Sequence, residues 1–85
     1  MPRVLTAQRT VVTPAQRGRL LERLRARREY YQGAGCHYWV FEEIDLQGAF
    51  IEFIEAADAA SLRTAIAAAP DDPGAVRVYQ ELELD

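Results

Sequence analysis

Eighty-five residues, 49% of them hydrophobic and 27% charged, set the scale of one globular domain over 1–85. They exclude a disordered chain, because there is apolar material enough to offset the entropy of folding. The net charge of −3 is unevenly spread: residues 1–35 hold eight Arg against two acids (+6), and residues 36–85 hold two Arg against eleven (−9). No run approaches the ~20 apolar residues that cross a membrane, and the N-terminus lacks an apolar core of signal-peptide length. The single cysteine, Cys36, excludes an intrachain disulfide and a CxxC motif; a reducing, cytoplasmic setting is expected.

Residues 3–12 are rich in Val and Thr and end at a turn, which predicts a first strand. Thr13-Pro14-Ala15-Gln16 then reads as a helix start: Thr13 as the cap, Pro14 in the first turn and Gln16 as the capping-box partner. Leu20, Leu21, Leu24 and Tyr31 recur at helical spacing, with Arg28 read as interrupting the stripe, and Gly33 and Gly35 stop a helix of about 14–32. Residues 36–44 are aromatic and β-branched, Asp45–Gly48 is a turn, and 49–56 is the next strand, so these two form a hairpin. Asp58 caps a second helix whose Ala59, Leu62, Ala65, Ile66 and Ala69 share a side. Pro70 and Asp-Asp-Pro-Gly end it, and 75–84 alternates as a last strand.

The order β-α-β-β-α-β defines a ferredoxin-like α+β sandwich. Right-handed crossovers put its four antiparallel strands in the order 4-1-3-2 with both helices on one face. The helix-free face is expected to hold several of Thr6, Gln8, Phe50, Ile54, Trp39 and Tyr79. That is too apolar to leave in water, and a second copy packed on it by two-fold symmetry is the simplest cover.

This element order, with the aromatic strand Tyr38-Trp39-Val40-Phe41-Glu42 and the strand Gly48-Ala49-Phe50-Ile51-Glu52-Phe53-Ile54-Glu55, resembles the dimeric α/β-barrel superfamily, which includes the antibiotic-biosynthesis-monooxygenase-like domains. The resemblance implies two sheets packed face to face as a homodimer, with ligand cavities between sheet and helices. It also implies chemistry of the kind the superfamily spans, such as cofactor-independent oxygenation of aromatic polyketides or lactone isomerisation. It carries over no catalytic signature, and a fold does not fix a function. Other owners of the topology fit less well. The acids of strand 3 would repel the phosphates of single-stranded RNA, the first loop has no CxxC, and no glycines precede the first helix to form an anion loop.

Candidate chemistry rests on few residues. His37 is the only histidine and shares a strand face with Trp39 and Phe41; it is a base for a phenol or enol, or a polar group at a strand start. Glu52 lies between Ile51 and Phe53, so it faces a cavity as an acid or base, or pairs with Arg9 or Arg77; Glu55 has the same two readings. Gln8, Trp39, Tyr79 and Phe50 are the candidate ligand-binding residues for a small apolar or aromatic molecule, or else simply core. Cys36 and His37 point to opposite sheet faces, which opposes a Cys–His nucleophile, and no metal cluster or cofactor motif is present. The expected function is therefore small-molecule binding, with cofactor-free oxygenation or isomerisation if the protein is an enzyme. No nucleic acid or membrane partner is expected. The alternative is a non-catalytic interaction module that uses the Arg-rich first helix.

Overall fold

The computed structural model describes residues 2–71 and 76–84. Strand β1 (Val4–Val11) leads to helix α1 (Pro14–Gly33), the hairpin of β2 (His37–Glu42) and β3 (Ala49–Ala56), helix α2 (Ala59–Ala67) and β4 (Val78–Gln80). The sheet order is β2-β3-β1-β4, every pairing antiparallel, which is the ferredoxin-like 4-1-3-2 arrangement. Local chemistry sets the helix starts. The Gln16 side-chain oxygen accepts from the Thr13 amide at 3.1 Å, and the Asp58 carboxylate accepts from Ser61 N–H at 2.7 Å.

Both helices cover one face. There α1 places Leu20 and Leu24 on Phe50, while Tyr31, Leu62 and Ala65 pack with Val4, Tyr38 and Ile54. Leu62 is wholly buried, and the rings of Tyr31 and Tyr38 stack 6.1 Å apart. The Tyr30 hydroxyl donates to the Ala65 carbonyl at 2.6 Å and ties the end of α1 to α2.

The pairing register corrects the expected membership of the helix-free face. Thr6 faces Ile54, Gln8 faces Glu52 and Thr10 faces Phe50, and these residues lie on the helix-covered side with Tyr38 and Val40. Thr6, Gln8, Phe50 and Ile54 therefore do not belong to the open face; Trp39 and Tyr79 do, together with Leu5, Ala7, Ile51, Phe53, His37 and Phe41. The sequence permits either parity because β1 and β3 carry apolar groups on both sides, and a slip of one residue exchanges the faces.

The last strand is shorter than its alternation predicts. Val78–Gln80 pairs only with Val4–Thr6, although Glu81 N–H still donates to the Arg3 carbonyl at 2.7 Å. The ladder is only half made at that pair, because the Arg3 amide donates to the Glu81 carboxylate at 3.4 Å and not to a strand carbonyl. Residue 75 of the expected strand lies outside the described residues.

Gly48 closes the β2–β3 turn with φ +91°, and a Cβ there would stand 2.4 Å from the Val12 carbonyl oxygen. Its own carbonyl accepts from Val12 N–H at 2.8 Å, so the hairpin is pinned to the end of β1 by backbone in close approach. Gly48→Ala is expected to lower stability by about 2 kcal/mol or more, from the left-handed backbone and the clash together. Urea unfolding that left the midpoint unchanged would contradict this.

Candidate functional site

Three polar side chains meet between α1 and the sheet. Glu52 is 4% exposed, and its two oxygens accept from Arg27 Nη1 at 2.8 Å and from the Tyr38 hydroxyl at 2.5 Å. Arg27 also donates through Nε to Asp71 at 2.9 Å. Burial, and then the hydrogen bond to Glu52, push the Tyr38 phenol far above its ordinary range, so it acts as a donor and stays protonated. The expected partners of Glu52, Arg9 and Arg77, are not the ones it takes. Arg9 sits on the opposite sheet face and bonds Glu43 at 2.9 Å.

The signal for Arg27 was in the helix period. Positions 20, 24, 27 and 31 form one stripe, and Arg27 occupies the place where a leucine would pack. Arg28, the interruption expected from the sequence, is instead exposed.

Beside this group a groove of about 480 Å³ runs along the outer edge of β2, between that strand and α1. Leu21, Leu24, Val40 and Phe50 are its apolar lining, the aromatic residues Tyr38, Trp39 and Phe41 also line it, and Arg25 and Arg28 line it from α1. The volume lies within the range of small-ligand sites. Glu42 also lines it, with its charge answered: both its oxygens accept from Arg17, one at 2.9 Å, and Gly48 N–H donates to it at 2.9 Å.

That pairing makes Glu42 an acid-labile tie between α1 and the hairpin. The Arg17 hydrogen bond, then the Gly48 amide, hold its carboxyl down at about 2. An unfolded glutamate titrates near ~4.3, so the folded value is the lower one. The stabilisation is complete above ~4.3 and is lost as pH falls through about 2. Thermal melts should accordingly show a shallower decline of Tm over this window in Glu42→Gln than in the parent, and equal slopes would refute the assignment.

The opposite face carries a second pair. His37 Nδ1 lies 2.9 Å from Glu55 Oε1, Arg3 Nε is 3.5 Å from the other Glu55 oxygen, and the His37 and Trp39 rings are 5.8 Å apart. The imidazole is largely exposed, at 76%, whereas the Glu55 side chain is 9% exposed. Cys36 faces the other way and is buried, which pushes its thiol up and leaves it a packing group.

His37 and Glu52, the two candidate acid–base groups, thus lie on opposite sides of the sheet, each with a different partner. Of the expected ligand-binding residues, Trp39 and Phe50 come together in the groove, because β2 is an edge strand and the groove wraps it. Tyr79 is half-exposed on the open face, across β1 from Glu55, and Gln8 sits opposite Glu52 on the covered side. Among the described residues no three His, Cys, Asp or Glu side chains are grouped to hold a metal ion, and no helix is long and apolar enough to cross a membrane. Much of the basic charge of α1 is spent within the chain, on the pairs Arg17–Glu42, Arg23–Asp71 and Arg27–Glu52.

The fold defined by these elements is that of the antibiotic biosynthesis monooxygenase-like proteins. Rv0793 from Mycobacterium tuberculosis superposes with a TM-score of 0.71 at 20% identity, over 100% of this chain and 97% of its own. An antibiotic biosynthesis monooxygenase superposes at 0.72 and 17% identity, over 100% of both chains. SnoaB, a cofactor-independent oxygenase from Streptomyces nogalater, gives 0.64 at 16% identity, over 98% of this chain and 94% of its own. No protein-family pattern and no curated protein matches the sequence.

Proposed function

We propose that this protein binds a small flat molecule, aromatic or enolisable, in the α1–β2 groove and oxygenates it with dioxygen and no cofactor. The observation that carries the reading is the double position of Trp39. The residue lines the groove at the edge of the sheet, and its ring stands 5.8 Å from His37. A ligand lying on Trp39 would have beside it a histidine whose Nδ1 is engaged by a buried carboxylate. With the hydrogen on Nδ1 donated to Glu55, Nε2 keeps a free lone pair and can take a proton from a phenol or an activated C–H. The resulting carbanion supplies electrons to dioxygen. One oxygen atom stays on the carbon as a carbonyl, and the other leaves as water with the two hydrogens that carbon loses. Glu52 has a positioning role in this reading, because Arg27 and Tyr38 already occupy both its oxygens.

A second copy of the chain belongs on the helix-free face. The middle of that face is apolar (Ala7, Ile51, Phe53, Trp39 and Phe41), with Arg9–Glu43 at one end and Arg3, His37 and Glu55 at the other. An apolar centre with a polar rim is how a protein interface is built, and a two-fold axis through the centre makes such a patch complementary to itself. The partner would also shield the His37–Glu55 pair from water.

The test is dioxygen uptake with an enolisable tricyclic ketone. Turnover above the uncatalysed rate is expected, with His37→Gln slower by about 10²-fold, the usual size of a general-base effect. No protein-dependent uptake, or full activity in His37→Gln, would overturn the proposal.

A further inference from the structure

The groove is apolar inside and cationic at its mouth. Arg25 and Arg28 are exposed, lie one helical turn apart and both line it. Among the described residues neither is paired with a carboxylate, although Glu22 and Glu29 lie within a turn of Arg25. Every other charge on the lining is answered: Glu42 is held by Arg17 and by the Gly48 amide. The cavity therefore carries an uncompensated charge of +2, from two groups whose planar forks suit a carboxylate. Inside that rim, Trp39 lines the groove from the β2 edge and is partly exposed, while Leu24, Val40 and Phe50 line its interior.

We infer that the groove selects planar aromatic acids, the ring lying against Trp39 and the carboxylate reaching Arg25 and Arg28. This rests on the groove being the ligand site, and it adds the charge of the ligand. A neutral aromatic of the same shape fills the apolar floor equally well but leaves both guanidinium groups to water. The acid gains charge-assisted hydrogen bonds to both guanidinium groups that the neutral compound lacks, so it should bind on the order of tenfold tighter or more.

The experiment compares 1-naphthoate with its uncharged analogue 1-naphthamide by isothermal titration calorimetry, at low ionic strength and again at raised salt. The expected result is a tenfold or greater preference for naphthoate that shrinks with salt. In the Arg25→Gln/Arg28→Gln double variant the preference should collapse to about twofold or less, while Arg19→Gln, on the same helix but outside the groove, should keep it. Equal affinities for the two compounds in the parent protein would overturn the inference and leave the groove as a neutral aromatic site. A preference that survives the double variant, or falls equally in Arg19→Gln, would also overturn it. Binding of neither compound would overturn the groove itself as the ligand site.

Discussion

Arg27→Ala should cost about 3 kcal/mol of folding stability, a large share of what an 85-residue domain has to lose. The reason is the company Arg27 keeps. Its guanidinium is the cation facing Glu52, a carboxylate on the central strand β3 that is 4% exposed. Without it the carboxylate stays under α1 with the Tyr38 hydroxyl as its remaining described donor, and Asp71 keeps only the longer 3.4 Å contacts to Arg23. A buried charge stripped of its counterion costs far more than the pair contributes while intact. Removing the buried charge together with its counterion avoids this penalty. Converting the set together to Arg27→Met, Glu52→Leu and Tyr38→Phe removes the buried charge along with both of its donors, and this triple variant should be more stable than Arg27→Ala alone. Urea unfolding measures both. A loss under about 0.5 kcal/mol for Arg27→Ala would mean that the carboxylate finds water or another donor, and the description of this network would be wrong.

Phe53→Asp should abolish self-association while leaving the fold in place. Phe53 is at the centre of the helix-free face, between Ala7 on β1 and Trp39 on β2, with Phe41 edge-on at 5.9 Å. Its side chain has no contact to make with the helices, so the monomer loses little. In a symmetric dimer the change places two carboxylates in the apolar middle of the interface, each costing several kcal/mol to desolvate. Sedimentation equilibrium should give the parent twice the chain mass of 9.6 kDa and the variant that mass once, with unchanged far-ultraviolet circular dichroism. A parent protein that sediments as a monomer at micromolar concentration would remove the dimer from the account.

Local signals and long-range placement were legible to different degrees. The capping box at Thr13, the cap at Asp58, the hairpin and the strand 49–56 all rest on neighbours in the chain, and all stand where the sequence put them. The 4-1-3-2 order follows from crossover handedness, which also needs no distant information. Face parity was not legible. Thr6, Gln8 and Phe50 could have looked either way, because their strands are apolar on both sides. What decided it was the fit of Leu20, Leu24 and Leu62 onto one side of the sheet. The same long-range fit chose Arg27 over Arg9 as the partner of Glu52, and it placed Trp39 and Phe50 in one groove although their side chains leave the sheet on opposite faces. The pairing of His37 with Glu55 follows directly from the hairpin register, in which the two residues are opposite.

The α1–β2 groove as a seat for a flat aromatic molecule is the claim on which the chemistry rests. Titrating ¹⁵N-labelled protein with 1-naphthoate tests it most directly, because Trp39 is the only tryptophan and its indole N–H gives one resolved signal. Saturable shifts should appear at that indole and at the amides of Leu21, Leu24, Val40 and Phe50, with Tyr79 and β4 unmoved. Shifts gathered instead on β4 and β1, or none that saturate, would contradict it.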